Sequence, residues 1–198
     1  MKKIYKIYKT EKPDWDKIEG VKLNHTQWLP ATDIKAFAKM AYNDEKLFIR
    51  LEAEEKNIRE ELTGPYEMVC NDSCLEFFFA PDPKDDRYLN FEWNPKGTLY
   101  LGFGIDRILR SRQLVDNAEK HFCPKPFRTE NGWGVEFEIP CSFIKLYFPD
   151  FTPLGESHGN FYKCGDETIV PHYLSWSDMT GANPDFHRKC DFGIIKYE

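Results

Sequence analysis

A chain of 198 residues has the length of one domain and buries enough apolar surface to fold without disulfide staples. Apolar residues at 41% and charged residues at 30% are those of an ordinary globular protein, and 16% aromatics leaves many rings for a core or a stacking surface. The formal charge of −6 argues against a nucleic-acid partner, and no run of about eighteen apolar residues exists to form a membrane-spanning helix, so no membrane partner is expected.

Met1-Lys2-Lys3 is a basic start with no apolar run behind it, so a cytoplasmic protein is expected unless a leader has been removed. Ile4 to Tyr8 alternates and predicts a first or edge strand. Ala36 to Tyr42 and Leu47 to Ala53 flank Asn43-Asp44-Glu45 as a hairpin, because Asn and Asp tolerate the left-handed turn. The acidic stretch Glu54 to Leu62 is compatible with one or two helical turns. Asp72 to Phe79 is the strongest strand, closed by Pro81 and Pro83. Tyr88 to Trp93 and Leu99 to Phe103 form a second hairpin around Asn94-Pro95-Lys96-Gly97. Phe122 to Arg128 and Trp133 to Ile139 form a third, with Asn131-Gly132 as its turn. Ser142 to Phe148 reads as a short helix capped by Ser142. Gly159 to Gly165, His172 to Trp176 and Phe192 to Tyr197 complete the strands. About ten short strands with almost no helical periodicity predict a single all-β domain over 1–198, a sandwich of two antiparallel sheets with one or two short helices.

The six cysteines, Cys70, Cys74, Cys123, Cys141, Cys164 and Cys190, are expected to be reduced and packed as small hydrophobes. Cys70 and Cys74 lack zinc-knuckle spacing and no Cys-x-x-Cys occurs, so spacing predicts no metal site.

Successive strand residues point to opposite faces. Leu75, Phe77 and Phe79 then form a core face and Glu76 lies opposite; Asn90 and Glu92 take the matching positions on the next strand. If those strands are neighbours, Glu76, Asn90 and Glu92 share one polar surface, to which Arg50 and Lys163 are expected to add cations. Carboxylates accept and amides or ammonium groups donate, which suits a ligand built of hydroxyls. The same pattern also describes a solvated sheet face carrying cross-strand ion pairs. Trp176, set among Ser175, Ser177 and Asp178 ahead of a polar loop, is placed to offer its ring to a pyranose.

At these residues the chain resembles the family 9 carbohydrate-binding modules, and more closely their single-domain bacterial branch. The matching blocks are Asp72 to Phe79, Tyr88 to Asn94 with Gly97, Gly132 to Phe137 with Ile139-Pro140, Gly159 to Asp166, Pro171 to Trp176, and Pro184 to His187 ending in Phe192-Gly193. The resemblance spans about residues 35 to 197 and implies an immunoglobulin-like β-sandwich with a sugar clamped between two aromatic rings at one edge. It assigns Trp176 to one clamp position, Glu76 to a hydroxyl-bonding acid and Lys163 to a cation. The second clamp aromatic is expected near Cys70, which cannot stack; Tyr66 is the nearest substitute and Trp28 the next. Xylanase-linked members also imply a structural calcium, for which Asp72, Asp166 and Asp178 are candidate ligands without calcium-loop spacing.

The expected function is non-catalytic binding of a mono- or oligosaccharide, in polysaccharide or oligosaccharide catabolism, with a separate glycoside hydrolase as a further candidate partner. Trp176, Tyr173 or Tyr66 would stack; Glu76, Asn90, Glu92 and Lys163, with Arg50, would bond hydroxyls. An alternative makes Glu76 and Glu92 a glycosidase pair, which requires carboxyls about 5 to 10 Å apart. A third reading is a haem or other small-ligand sandwich, with His172 and Met68 as axial candidates.

Overall fold

The computed structural model describes residues 2–198. In chain order its strands are β1 (Ile4–Ile7), β2 (Val21–Lys22), β3 (His25–Thr26), β4 (Lys35–Tyr42), β5 (Lys46–Glu54), β6 (Cys74–Ala80), β7 (Tyr88–Trp93), β8 (Leu99–Gly104) and β9 (Arg110–Arg112). A one-turn helix α1 (Ala118–Phe122) precedes β10 (Lys125–Thr129) and β11 (Gly132–Pro140). A second, α2 (Cys141–Ile144), leads to β12 (Glu156–Cys164), β13 (Tyr173–Ser175) and β14 (Gly193–Tyr197).

These strands make two sheets. One runs β1-β14-β12-β6-β7-β8-β9, with β13 and β3 branching from β12; the other runs β10-β11-β5-β4-β2. All pairings between them are antiparallel except β1 with β14, an edge strand that joins in parallel. The inner faces hold the residues that alternation assigned to the core. Leu75, Phe77 and Phe79 of β6 and Leu89, Phe91 and Trp93 of β7 meet Leu47, Ile49 and Leu51 of β5 and Trp133, Val135 and Phe137 of β11, all essentially excluded from solvent.

The outer face of the larger sheet is covered as well, which explains why every residue of β6 and β7 is buried. Met179, Phe186 and Phe192, from the segment after β13, pack on Phe78, Tyr88 and Tyr162 as a second apolar cluster. The solvated face allowed by the sequence pattern is therefore roofed by a long loop, and the acids on it are enclosed.

Two local expectations are corrected. The acidic stretch 54–62 is not helical beyond the end of β5; it is pinned in irregular form because Asp72 accepts from Arg59 and from the amide of Leu62. The helix foreseen from Ser142 begins at Cys141, capped from Pro140 with no side-chain bond. All six cysteines are unpaired.

Candidate functional site

The direct cross-strand pairing of β6 with β7 sets Glu76 opposite Glu92, two register positions from Phe78 opposite Asn90 and so on the same face. Each glutamate is only 3% exposed. On the next strand Asn90 faces Gly102, where a Cβ would sit 2.3 Å from the Asn90 Oδ1; glycine is what gives this amide room. Asn90 donates to Glu92 Oε1 at 2.8 Å, while its own Oδ1 is buried without a partner.

Above the two carboxyls opens a concavity of about 270 Å³. One wall is aromatic. Tyr173 faces outward because it pairs with Cys164, which pairs in turn with Cys74, two residues from Glu76 on the same face. Trp28 stands edge-on to it, with ring centres 5.5 Å apart, and leans on Phe186 at 5.4 Å. Trp28 adopts a left-handed backbone (φ 54°), and its indole N–H donates to the Gly181 carbonyl at 2.7 Å, so the ring is fixed from both ends. Met68, Cys70, Arg107, Arg110 and Asp166 also line the opening.

The floor is electrostatically unsettled. Glu76 accepts from the Cys164 thiol at 2.9 Å and Glu92 from Asn90, and among the described residues neither has a Lys or Arg nitrogen within 4.0 Å. Burial raises the Glu92 carboxyl to about 7 against the opposing pull of Arg110. Burial, then the neighbouring Glu92, holds Glu76 well above the usual carboxylate range. Near neutral pH the floor therefore retains protonated carboxyl, which both donates and accepts and so matches a hydroxyl that does the same.

Glu76, Glu92, Asn90 and Tyr173 are thus brought together at one place. The other assigned residues are not. Trp176 is 3% exposed and lies in the inter-sheet core against Tyr5 and Phe161, with Gly193 giving it room. It is three residues from Tyr173, an odd step, and so faces the other way. Lys163 is likewise inward, opposite Leu75; its ammonium pairs with Glu55 at 3.2 Å and contacts His172 Nε2 at 2.7 Å. Arg50 is on the other sheet, held by Glu52 and Glu136 and resting on Phe127. Tyr66 is 72% exposed and does not line the concavity. His172 is buried beside Lys163 while Met68 is on the rim, so the two do not form an axial pair.

The calcium candidates do not make an oxygen cage. Asp72 is fully buried and occupied by Arg59, Asn94 and the Leu62 amide, Asp166 lines the concavity, and Asp178 bonds Gln27. These residues do not fit that ion. Of the two aromatic substitutes expected near Cys70, Trp28 lines the concavity beside Tyr173 and Tyr66 does not. Phe186, Arg107 and Arg110 carry no sequence signal, because only the folding of the 177–192 loop and of the segment from the β8–β9 turn into β9 brings them to the concavity.

The family described as carbohydrate-binding family 9 matches residues 3–197. The fold is similar to that of a proposed carbohydrate-binding protein from Bacteroides uniformis ATCC 8492, with a TM-score of 0.86, 25% identity and complete coverage of both chains. It is also similar to a family 9 carbohydrate-binding module from Caldicellulosiruptor kristjanssonii solved with glucose (TM-score 0.70, 15% identity, 99% of this chain and 96% of that one). The cellotriose complex of a module from the same organism gives 0.69, 16%, 98% and 94%. No curated protein matches.

Proposed function

Since the chain belongs to carbohydrate-binding family 9, we propose that the concavity over Glu76 and Glu92 is its sugar site. The observation that carries this reading is the meeting of an aromatic wall with a hydroxyl-matching floor in one opening. Tyr173 and Trp28 offer ring faces and edges to the C–H surface of a pyranose. Glu76 and Glu92 exchange hydrogen bonds with its hydroxyls from below, Asn90 holds Glu92 in place from beneath, and Asp166 and Arg110 bond hydroxyls from the side. At about 270 Å³ the space is at the small end of ligand pockets, which suits one ring or the end of a chain rather than an oligosaccharide laid lengthwise. A role in oligosaccharide catabolism, taking up chain ends released by a separate glycoside hydrolase, extends the same reading.

The carboxyl pair itself favours binding over hydrolysis. The two lie side by side on one sheet face as direct cross-strand neighbours, so a sugar rests over both. A glycosidase needs them on either side of the scissile bond. Calorimetric titration with glucose and cellotriose tests the proposal. Tyr173→Ala is expected to weaken binding at least tenfold, the loss of about 1.4 kcal/mol of stacking. Unchanged affinity in a folded variant removes the site, and release of chromophore from nitrophenyl glycosides by the wild type removes the non-catalytic reading.

A further inference from the structure

Cys74 and Cys164 are direct cross-strand partners on β6 and β12, and both thiols point to the same outer face as Glu76. Among the described residues, Cys74, Glu76 and Cys164 are the only three metal-ligating side chains whose donor atoms all lie within 4.8 Å of one another, and all three are buried. Tetrahedral zinc with two thiolates and a carboxylate places its donors about 3.3 to 3.8 Å apart, so a small adjustment of rotamers closes the three around one ion.

The surroundings lack what an ordinary buried carboxyl has. A buried carboxylate is normally matched by backbone amides or a cation. Glu76 has a single thiol as its hydrogen-bond partner and no basic nitrogen within 4.0 Å. The nearby Glu92 adds a second acid and the Asn90 Oδ1 a third uncompensated oxygen. The cluster is thus rich in electron-pair donors and has no cation in direct contact, Arg107 and Arg110 lining the concavity without pairing to either glutamate. It is also reachable, because Glu76 and Cys164 both open on the concavity.

We propose that Cys74, Cys164 and Glu76 form a thiolate-rich site for a divalent soft-to-borderline cation, best matched by zinc, at the floor of the concavity. Two thiolates select zinc over calcium or magnesium, which take oxygen donors. Binding displaces the protons of the two thiols and the carboxyl; the divalent cation offsets two of the three negative charges so formed, and Arg110 at the concavity faces the remaining one. Because Cys74 lies beneath and Cys164 and Glu76 border the opening, the fourth position faces the concavity, within reach of Glu92 or a ligand oxygen. The inference does not depend on sugar binding, although it shares Glu76 with that reading.

The test is titration of the reduced, chelator-stripped full-length chain with cobalt(II) and then zinc, in the absence of sugar. The expected result is one cobalt per chain with thiolate-to-cobalt charge-transfer absorption, bleached when zinc displaces it. Cys123→Ser/Cys190→Ser keeps the signal, which separates the site from the two more accessible thiols elsewhere. Cys74→Ser/Cys164→Ser removes it. Glu76→Gln, which keeps both thiols and the shape of the side chain, weakens zinc binding by at least about tenfold and covers the case in which the double variant does not fold. Absence of the charge-transfer band in wild type, its survival in the folded Cys74→Ser/Cys164→Ser chain, or zinc affinity unchanged by Glu76→Gln overturns the proposal. None of these results bears on whether glucose binds, so the two readings fail separately.

Discussion

Replacing Lys163 by methionine takes an ammonium out of the layer between the sheets while keeping most of its stem volume. The ammonium meets Glu55 Oε2 at 3.2 Å, His172 Nε2 at 2.7 Å and the Cys164 carbonyl at 2.8 Å, and the side chain has no exposure. Its loss leaves Glu55 as a buried carboxylate with no cation. Removing one member of a buried ion pair costs about 3–5 kcal/mol. Glu55 keeps hydrogen bonds from Ser73 and from the Trp133 indole, both at 2.9 Å, which places the expected cost near the lower limit, about 3 kcal/mol. For a chain of this size that lowers the melting temperature by about 6–12 °C. Urea unfolding of wild type, Lys163→Met, Glu55→Gln and the double variant gives the full cycle. The double variant is expected within about 1 kcal/mol of wild type, because a neutral amide no longer needs the ammonium and the two single costs do not add. A single-variant cost under about 1 kcal/mol, or additive losses, refutes the assignment of Lys163 to a core ion pair.

Trp176→Ala is expected to cost about 3–5 kcal/mol of stability by opening a cavity against Tyr5 and Phe161, with sugar affinity retained in the folded fraction; a selective loss of affinity at full stability contradicts it. His172 is held down to about 4 from 6.5 by burial and then by Lys163, against a smaller opposing pull from Glu55. Its neutral form is favoured in the folded state, so this contribution is complete above pH 6.5 and is lost as pH falls toward 4. At 1.36 kcal/mol per pH unit the loss is about 3 kcal/mol. Nuclear magnetic resonance titration of the imidazole checks the midpoint, and an ordinary midpoint near 6.5 contradicts the burial argument. Arg50→Ala, which breaks partly exposed pairs with Glu52 and Glu136 on the far sheet, is expected to cost about 1 kcal/mol or less and to leave sugar titrations unchanged.

Alternation carried the sequence reading as far as strand register allowed. It placed Glu76, Asn90 and Glu92 on one face because β6 and β7 are consecutive and joined by a short connection, so chain order gave their pairing. At Lys163 and Trp176 polarity and parity point in opposite directions, and parity is the better guide: a lysine within an apolar strand and a tryptophan among serines look like surface residues, yet Phe161 and Lys163 share a face by spacing alone. Tyr173, the direct cross-strand partner of Cys164, keeps the outward parity that Trp176 lacks. Trp28, named in the sequence only as a substitute after Tyr66, and the 177–192 loop are placed by a different cause. Their positions follow from the β3–β13 pairing and from apolar packing of Phe186 on Tyr162, contacts separated by many residues and without periodic trace. The helix read into 54–62 failed because Asp72 and Ser73 take backbone amides of that stretch, a long-range demand that outweighs local propensity.

The sugar-site claim meets its most direct test in amide chemical-shift mapping during titration with glucose. The account predicts perturbations centred on Trp28, Glu76, Glu92, Tyr173 and Phe186. Shifts centred instead around Arg50 on the opposite sheet, or no saturable shifts at all, would contradict it.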